Sequence, residues 1–123
     1  MAKTERRSSG DEAEQQVVEQ LERDGWVIRD RNITYRLGEL DVVAEKGEVL
    51  AFVEVRMRSS GVWGDPAATV SRAKQRKVVL AAMQYVQQRR LHARAIRFDV
   101  ASVVGRGPDA RVELIPHAFE AGF

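Results

Sequence analysis

Residues 39 to 58, ELDVVAEKGEVLAFVEVRMR, hold two β-rich runs either side of EKGE, and no other stretch restricts the fold as much. Apolar and β-branched residues flanking a glycine-bearing turn are the pattern of a hairpin. A type II′ turn favours glycine first, and with Gly47 and Glu48 as its central residues the paired positions have numbers that sum to 95. Residues two apart in a strand share a face, so this register sorts every side chain. Asp41 faces Glu54, Glu39 faces Arg56, and Val43 and Phe52 continue that face toward the turn. The opposite face, with Leu40, Val42, Ala44, Ala51, Val53, Val55 and Met57, is apolar throughout. Such a hairpin is covered on both sides except at its open end, where three carboxylates and an arginine converge. A one-residue slip of the turn would undo the pairing.

The rest of the chain supplies what covers the hairpin. With 123 residues, 44% hydrophobic and 31% charged, it suits one domain over 9–123 behind a loose basic tail at 1–8. Ser9 and Glu12 have capping-box spacing, and Val17, Val18 and Leu21 make an apolar helical stripe that Glu14 completes. A carboxylate on that stripe needs a partner: an arginine, backbone donors or a metal. Asp24-Gly25 ends the helix, WVI at 26–28 reads as a short strand, and RDRNITYRLG reads as a polar connection. Beyond the hairpin, 59–70 is a loop. A second helix runs from about Ser71 to Arg90 on a stripe of Val78, Val79, Ala82, Met83 and Val86. AIRFDVASVV at 95–104 is a strand, and after the turn GRGPD a short edge strand follows at 111–115.

Several function classes drop out. No apolar stretch is long enough to span a bilayer, and MAKTERRSSG lacks the apolar segment of a secretory signal, so the expected place is the cytoplasm, with no membrane partner. There is no cysteine, and His92 and His117 are far apart, which disfavours thiolate, zinc and Ser-His chemistry. Charge is unevenly distributed: between Asp65 and Asp99 there is no acid, while Arg72, Lys74, Arg76 and Lys77 crowd the opening turns of the second helix. Cations there oppose the helix dipole, and an anionic ligand would explain them. A solvated helix in a chain with 16 arginines against four lysines explains them too.

Like charges directly opposite are destabilising, so Asp41 facing Glu54 asks for a proton, a cation or a bridging metal. Oxygen-only ligands suit magnesium or manganese, which keep several waters and take one or two carboxylates plus phosphate oxygens. Such an ion lowers the pKa of bound water and offsets charge building on phosphate, while the basic helix start would hold a nucleic-acid backbone. Each piece also has a plain structural reading. Glu39 and Arg56 can be a cross-strand ion pair, Trp63 can pack on its own domain rather than stack on a base, and Asp99 suits an arginine partner better than the metal site. His92 and His117 have no evident role.

GELDVVA…FVEVRMR resembles the PD-(D/E)XK nuclease signature. GDEAEQQVVEQLERDGW, GELD, FVEV, VWGDP, KQRK and RFDV follow in the order of the YraN-like family of small bacterial proteins, over about residues 9 to 120. The resemblance implies an α/β, restriction-endonuclease-like αβββαβ core, a mixed central sheet flanked by helices, related to Holliday-junction resolvases. It makes Asp41 and Glu54 the metal carboxylates, with the Val55 carbonyl a further ligand and Glu39 and Glu14 auxiliary acids. Lys74 and Gln75 approach from the second helix, and Arg58, Arg72, Arg76 and Lys77 join them as nucleic-acid contacts. The partner implied is nucleic acid, DNA before RNA, and a homodimer is plausible by analogy, because symmetric junctions need two sites.

One departure matters. The signature's catalytic lysine falls at Arg56, and an arginine stays charged where a lysine can lose its proton. Arg56 can still orient water or phosphate, Lys74 can supply the amine from the helix, or cleavage is lost and a non-catalytic nucleic-acid binding module remains.

Overall fold

The computed structural model describes residues 9–58 and 70–121. In chain order the elements are α1 (Ser9–Arg23), β1 (Val27–Tyr35), β2 (Gly38–Lys46), β3 (Val49–Arg58), α2 (Arg72–Arg89), β4 (Ala95–Val104) and β5 (Arg111–Phe119), with a 3-10 turn at Gly107–Asp109. The basic tail and the 59–69 loop, with Trp63 and VWGDP, lie outside the described residues.

The hairpin folds in the expected register. Val42 pairs with Val53, Val43 with Phe52, Ala44 with Ala51 and Lys46 with Val49. Gly47 takes φ +59 while Glu48 stays out of the left-handed region, as glycine-first turn chemistry requires. The sheet is mixed, in the order β1-β2-β3-β4-β5, antiparallel except for β3 against β4. Parallel neighbours cannot be joined by a tight turn, and α2 is the crossover between them.

The two helices cover opposite faces. Ala13, Val17, Val18 and Leu21 of α1 pack on Val42, Ala44, Ala51, Val53, Ala101 and Val103. On the other side Val78, Val79, Ala82, Tyr85 and Val86 of α2 pack on Leu40, Val43, Leu50, Phe52, Phe98 and Val100. Phe52 meets Tyr85 edge-on at 5.8 Å and stacks on Phe98 at 5.7 Å, and Phe98 stacks on Phe119 at 5.3 Å. Aromatic pairs of this kind add about 0.5–1.5 kcal/mol each beyond area burial. Among the described residues no helix is long and apolar enough to cross a membrane.

Several expectations need correction. The polar RDRN segment is strand, because β1 is an edge strand whose charged side chains find partners on both helices: Arg31 bonds Glu14 of α1 and Asp30 accepts from Tyr85 of α2. β5 continues past Ile115 through Pro116 to Phe119, since a bulge opens where the His117 backbone N–H donates to Asp99 at 3.1 Å, letting Phe119 return to Phe98. Met83 is half-exposed, and fully buried Tyr85 takes the place expected of it in the core. Met57 is likewise more than half exposed, at a hollow it lines with Ala13 and Gln16 of α1.

Leu40 sits on the α2 face, not with Val42, because the strand loses its alternation at Asp41. Opposite Asp41, Asn32 adopts φ +54, and the β1–β2 register passes from Arg31↔Val42 to Ile33↔Leu40 without a 32–41 pair. The strand-bordering glycine of GELD has a steric reason: a Cβ at Gly38 would overlap the Lys77 carbonyl of α2. Gly38→Ala must displace the first turns of α2 and is expected to lower stability by about 1–3 kcal/mol, measured by denaturant unfolding. Unchanged stability would show that the helix yields freely there.

Candidate functional site

The break in pleating at Asp41 decides where the carboxylates go. Asp41 is half-buried, and its Oδ2 accepts the Val55 backbone N–H at 2.9 Å. The last backbone pair of the hairpin is Val42↔Val53, so the Asp41 carboxylate takes a β3 amide past the end of the ladder. The expected Asp41/Glu54 and Glu39/Arg56 backbone pairs are therefore not formed. Asp41 still stands close enough to Glu54 to raise the proton affinity of its carboxyl.

Glu54 is only 4% exposed, and its Oε1 is buried without a hydrogen-bond partner. An unsatisfied buried acceptor costs about 1–3 kcal/mol, and more when charged. Its Oε2 lies 3.8 Å from Lys74 Nζ, at the long limit of an ion pair. Burial first, and then the adjoining Asp41 carboxylate, push the Glu54 carboxyl up to about 8, against the opposing pull of Lys74 and Arg56. At neutral pH it keeps a proton that a cation in the site would displace.

Glu14 is buried and held elsewhere. Its Oε1 accepts from Arg31 at 2.8 and 3.0 Å and from Asn32 at 2.9 Å. Charge-assisted, forked contacts of this type satisfy a carboxylate without a metal. Glu14 nevertheless lines one hollow, of about 450 Å³, with Asp41, Val55 and Arg56. Exposed Glu39 lines a second hollow with Lys74, Lys77 and Val78. Among the described residues no group of three or more acids or histidines is placed to hold a metal ion.

On α2, Ser71 caps the helix by accepting from Lys74 N at 3.1 Å, which sets the turn that carries Lys74 over Glu54. Gln75 does not reach the pair: its side chain donates to the Val70 carbonyl at 2.9 Å. Arg72, Arg76 and Lys77 are exposed, and no acid lies in the helix's first turn. Asp99 pairs with Arg97 at 2.8 Å, as expected of it. Arg31 and Asn32 lie in a segment whose polarity reads as a connection; its polar positions flanking Ile33 are the signal an edge strand leaves.

Among the described residues, those that could hold a hard divalent cation are few. They comprise two carboxylates on adjoining strands, Asp41 beside an open hollow and Glu54 with an orphaned buried oxygen, the oxygen donors that magnesium or manganese takes.

The family model described as uncharacterised protein family UPF0102 matches residues 13–103, which include Glu14, Asp41, Glu54, Arg56 and Lys74. The chain is 56% identical over 121 residues to a UPF0102 protein of Myxococcus xanthus, covering 98% of this chain and 96% of that one. A UPF0102 protein of Geobacter metallireducens is 38% identical over 117 residues (95% and 96%), and one of Syntrophotalea carbinolica is 46% identical over 100 residues (81% of each).

The proton on Glu54 has a measurable consequence. Between about pH 4.5 and pH 8 the folded chain holds a proton that the unfolded chain has released, so metal-free stability falls as pH rises through that window. The fall attributable to this group is on the order of 3 kcal/mol, and Glu54→Gln should remove it. Thermal melts of both proteins in chelator from pH 5 to 8 check this; equal slopes for the two would contradict it.

Proposed function

The chain belongs to the uncharacterised protein family UPF0102, and from that membership and the site geometry we propose that it is a cytoplasmic nucleic-acid binding protein with a PD-(D/E)XK nuclease site. It hydrolyses phosphodiester bonds in branched or structured DNA with the help of magnesium or manganese. The observation that carries this reading is the Asp41–Glu54 pair. Two carboxylates meet with one buried oxygen left unpartnered, an arrangement that costs stability unless a ligand uses it.

Asp41, Glu54 and the Val55 carbonyl would hold the ion, which supplies a water acidic enough to attack at neutral pH and countercharge for the phosphate. Val55 N–H keeps the Asp41 carboxylate aimed before anything binds, so little reorganisation is needed on binding. Arg56, beside Asp41 in the same hollow, stays charged and orients the scissile phosphate. Lys74 brings from α2 the amine that β3 lacks, and an amine beside a carboxyl can carry a proton where a guanidinium cannot. Arg72, Arg76 and Lys77, exposed on the same helix start, steer the polyanion by charge. A junction with two equivalent strands to cut would need two copies of the chain.

A second reading rests on Arg56 itself: a site without a lysine on β3 that binds structured DNA and does not cut it. One assay separates the two. Wild type, Glu54→Ala, Lys74→Ala and Arg56→Lys are incubated with four-way junction and duplex DNA plus magnesium or manganese. The catalytic reading expects wild-type cleavage, abolished by Glu54→Ala and reduced about a hundredfold or more by Lys74→Ala. The binding-only reading expects no wild-type cleavage and a gain in Arg56→Lys. Cleavage that survives Glu54→Ala contradicts the catalytic reading.

A further inference from the structure

Beyond the carboxylate pair, the sheet register brings two distant arginines level with each other. Arg58 pairs with Val104 across β3–β4, and Val104 pairs with Arg111 across β4–β5. Directly paired residues share a side of the sheet, so the two arginines stand two strand spacings apart, roughly 10 Å, with buried Val104 between them. Arg111 is exposed and Arg58 half-buried. The edge carrying them is tied down, because Gly105 N donates to the Arg58 carbonyl at 3.0 Å and Gln16 of α1 donates to the Gly107 carbonyl at 2.9 Å.

The neighbouring rows indicate which way a polyanion would run. One level nearer the hairpin turn the row reads Arg56, Ser102, Glu113 and ends on an exposed carboxylate, which repels phosphate. Arg106 stands in the turn beyond the row. Between these, Arg58 and Arg111 form the row with a cation at both ends. Arg58 is four residues past Glu54, roughly 13 Å at the rise of a strand, or about the axial length of four nucleotides of duplex.

We infer that Arg58 and Arg111 hold a stretch of phosphodiester backbone, so that bound nucleic acid crosses the strand ends from the Asp41–Glu54 pair to β5. The inference rests on the nucleic-acid-binding reading above and adds a contact on β5, outside the 13–103 segment that the family model matches.

The test is fluorescence anisotropy of the full chain with a labelled four-way junction over a range of salt concentrations. Arg111→Ala, with Arg111→Gln as a second variant should the first fold poorly, is expected to bind about three- to tenfold more weakly. It should also lower the slope of log affinity against log salt by about one. Arg111→Lys restores the slope, and Arg23→Ala, at the far end of α1, leaves affinity and slope unchanged. Wild-type binding with Arg111→Ala and Arg111→Gln indistinguishable from it overturns this inference and leaves the proposed function standing. Absence of any salt-dependent binding by wild type overturns both.

Discussion

The hydrogen bond from Val55 N–H to Asp41 is the constraint from which the open end of the molecule takes its shape. A side chain takes this β3 amide where the ladder between β2 and β3 has ended, so the strands can part there without leaving the donor unsatisfied. The same event breaks the alternation of β2, sending Leu40 to one helix and Val42 to the other. Asn32, opposite, adopts the left-handed conformation that asparagine tolerates, and its amide joins Arg31 on Glu14. Backbone strain of this sort collects where a structure serves something other than stability.

Glu54 is the other half of the arrangement. Its carboxyl is enclosed in the sheet layer, with Asp41 raising its proton affinity and Lys74 and Arg56 lowering it. Hydrophobic residues of the same volume would be more stable in that position, because a buried polar atom without a partner is among the costlier features a core can carry. The helix that covers it starts with cations against its own dipole. Of these cations, Lys74 reaches Glu54, at 3.8 Å.

Much of this was legible from residue order because the hairpin turn sets the parity of every side chain: Gly47 and Glu48 sufficed to place Val42, Val43, Ala44, Ala51, Phe52 and Val53. The apolar stripes of both helices followed from periodicity, apart from Met83, whose place went to Tyr85. Pattern failed where side chains override the ladder. Nothing in GELD says that Asp41 will bond a neighbouring amide, so strict alternation misplaces Leu40 and pairs Glu39 with Arg56 across a ladder that ends at Val42. The polar RDRN hid a strand because its charges are satisfied by residues 16 or more positions away, and the extent of β5 depended on a bulge around Asp99. That Glu14 would be buried was readable from its helical position; that Arg31 and Asn32 would be its partners was not.

Isothermal titration of manganese into the full chain at pH 7.5 tests most directly whether the Asp41–Glu54 pair is a cation site. The predicted result is one manganese bound per chain with release of a proton as Glu54 ionises. Binding should weaken as pH falls and be lost in Asp41→Asn and in Glu54→Gln. Binding that is absent in the wild type, or that persists undiminished in both variants, would contradict it.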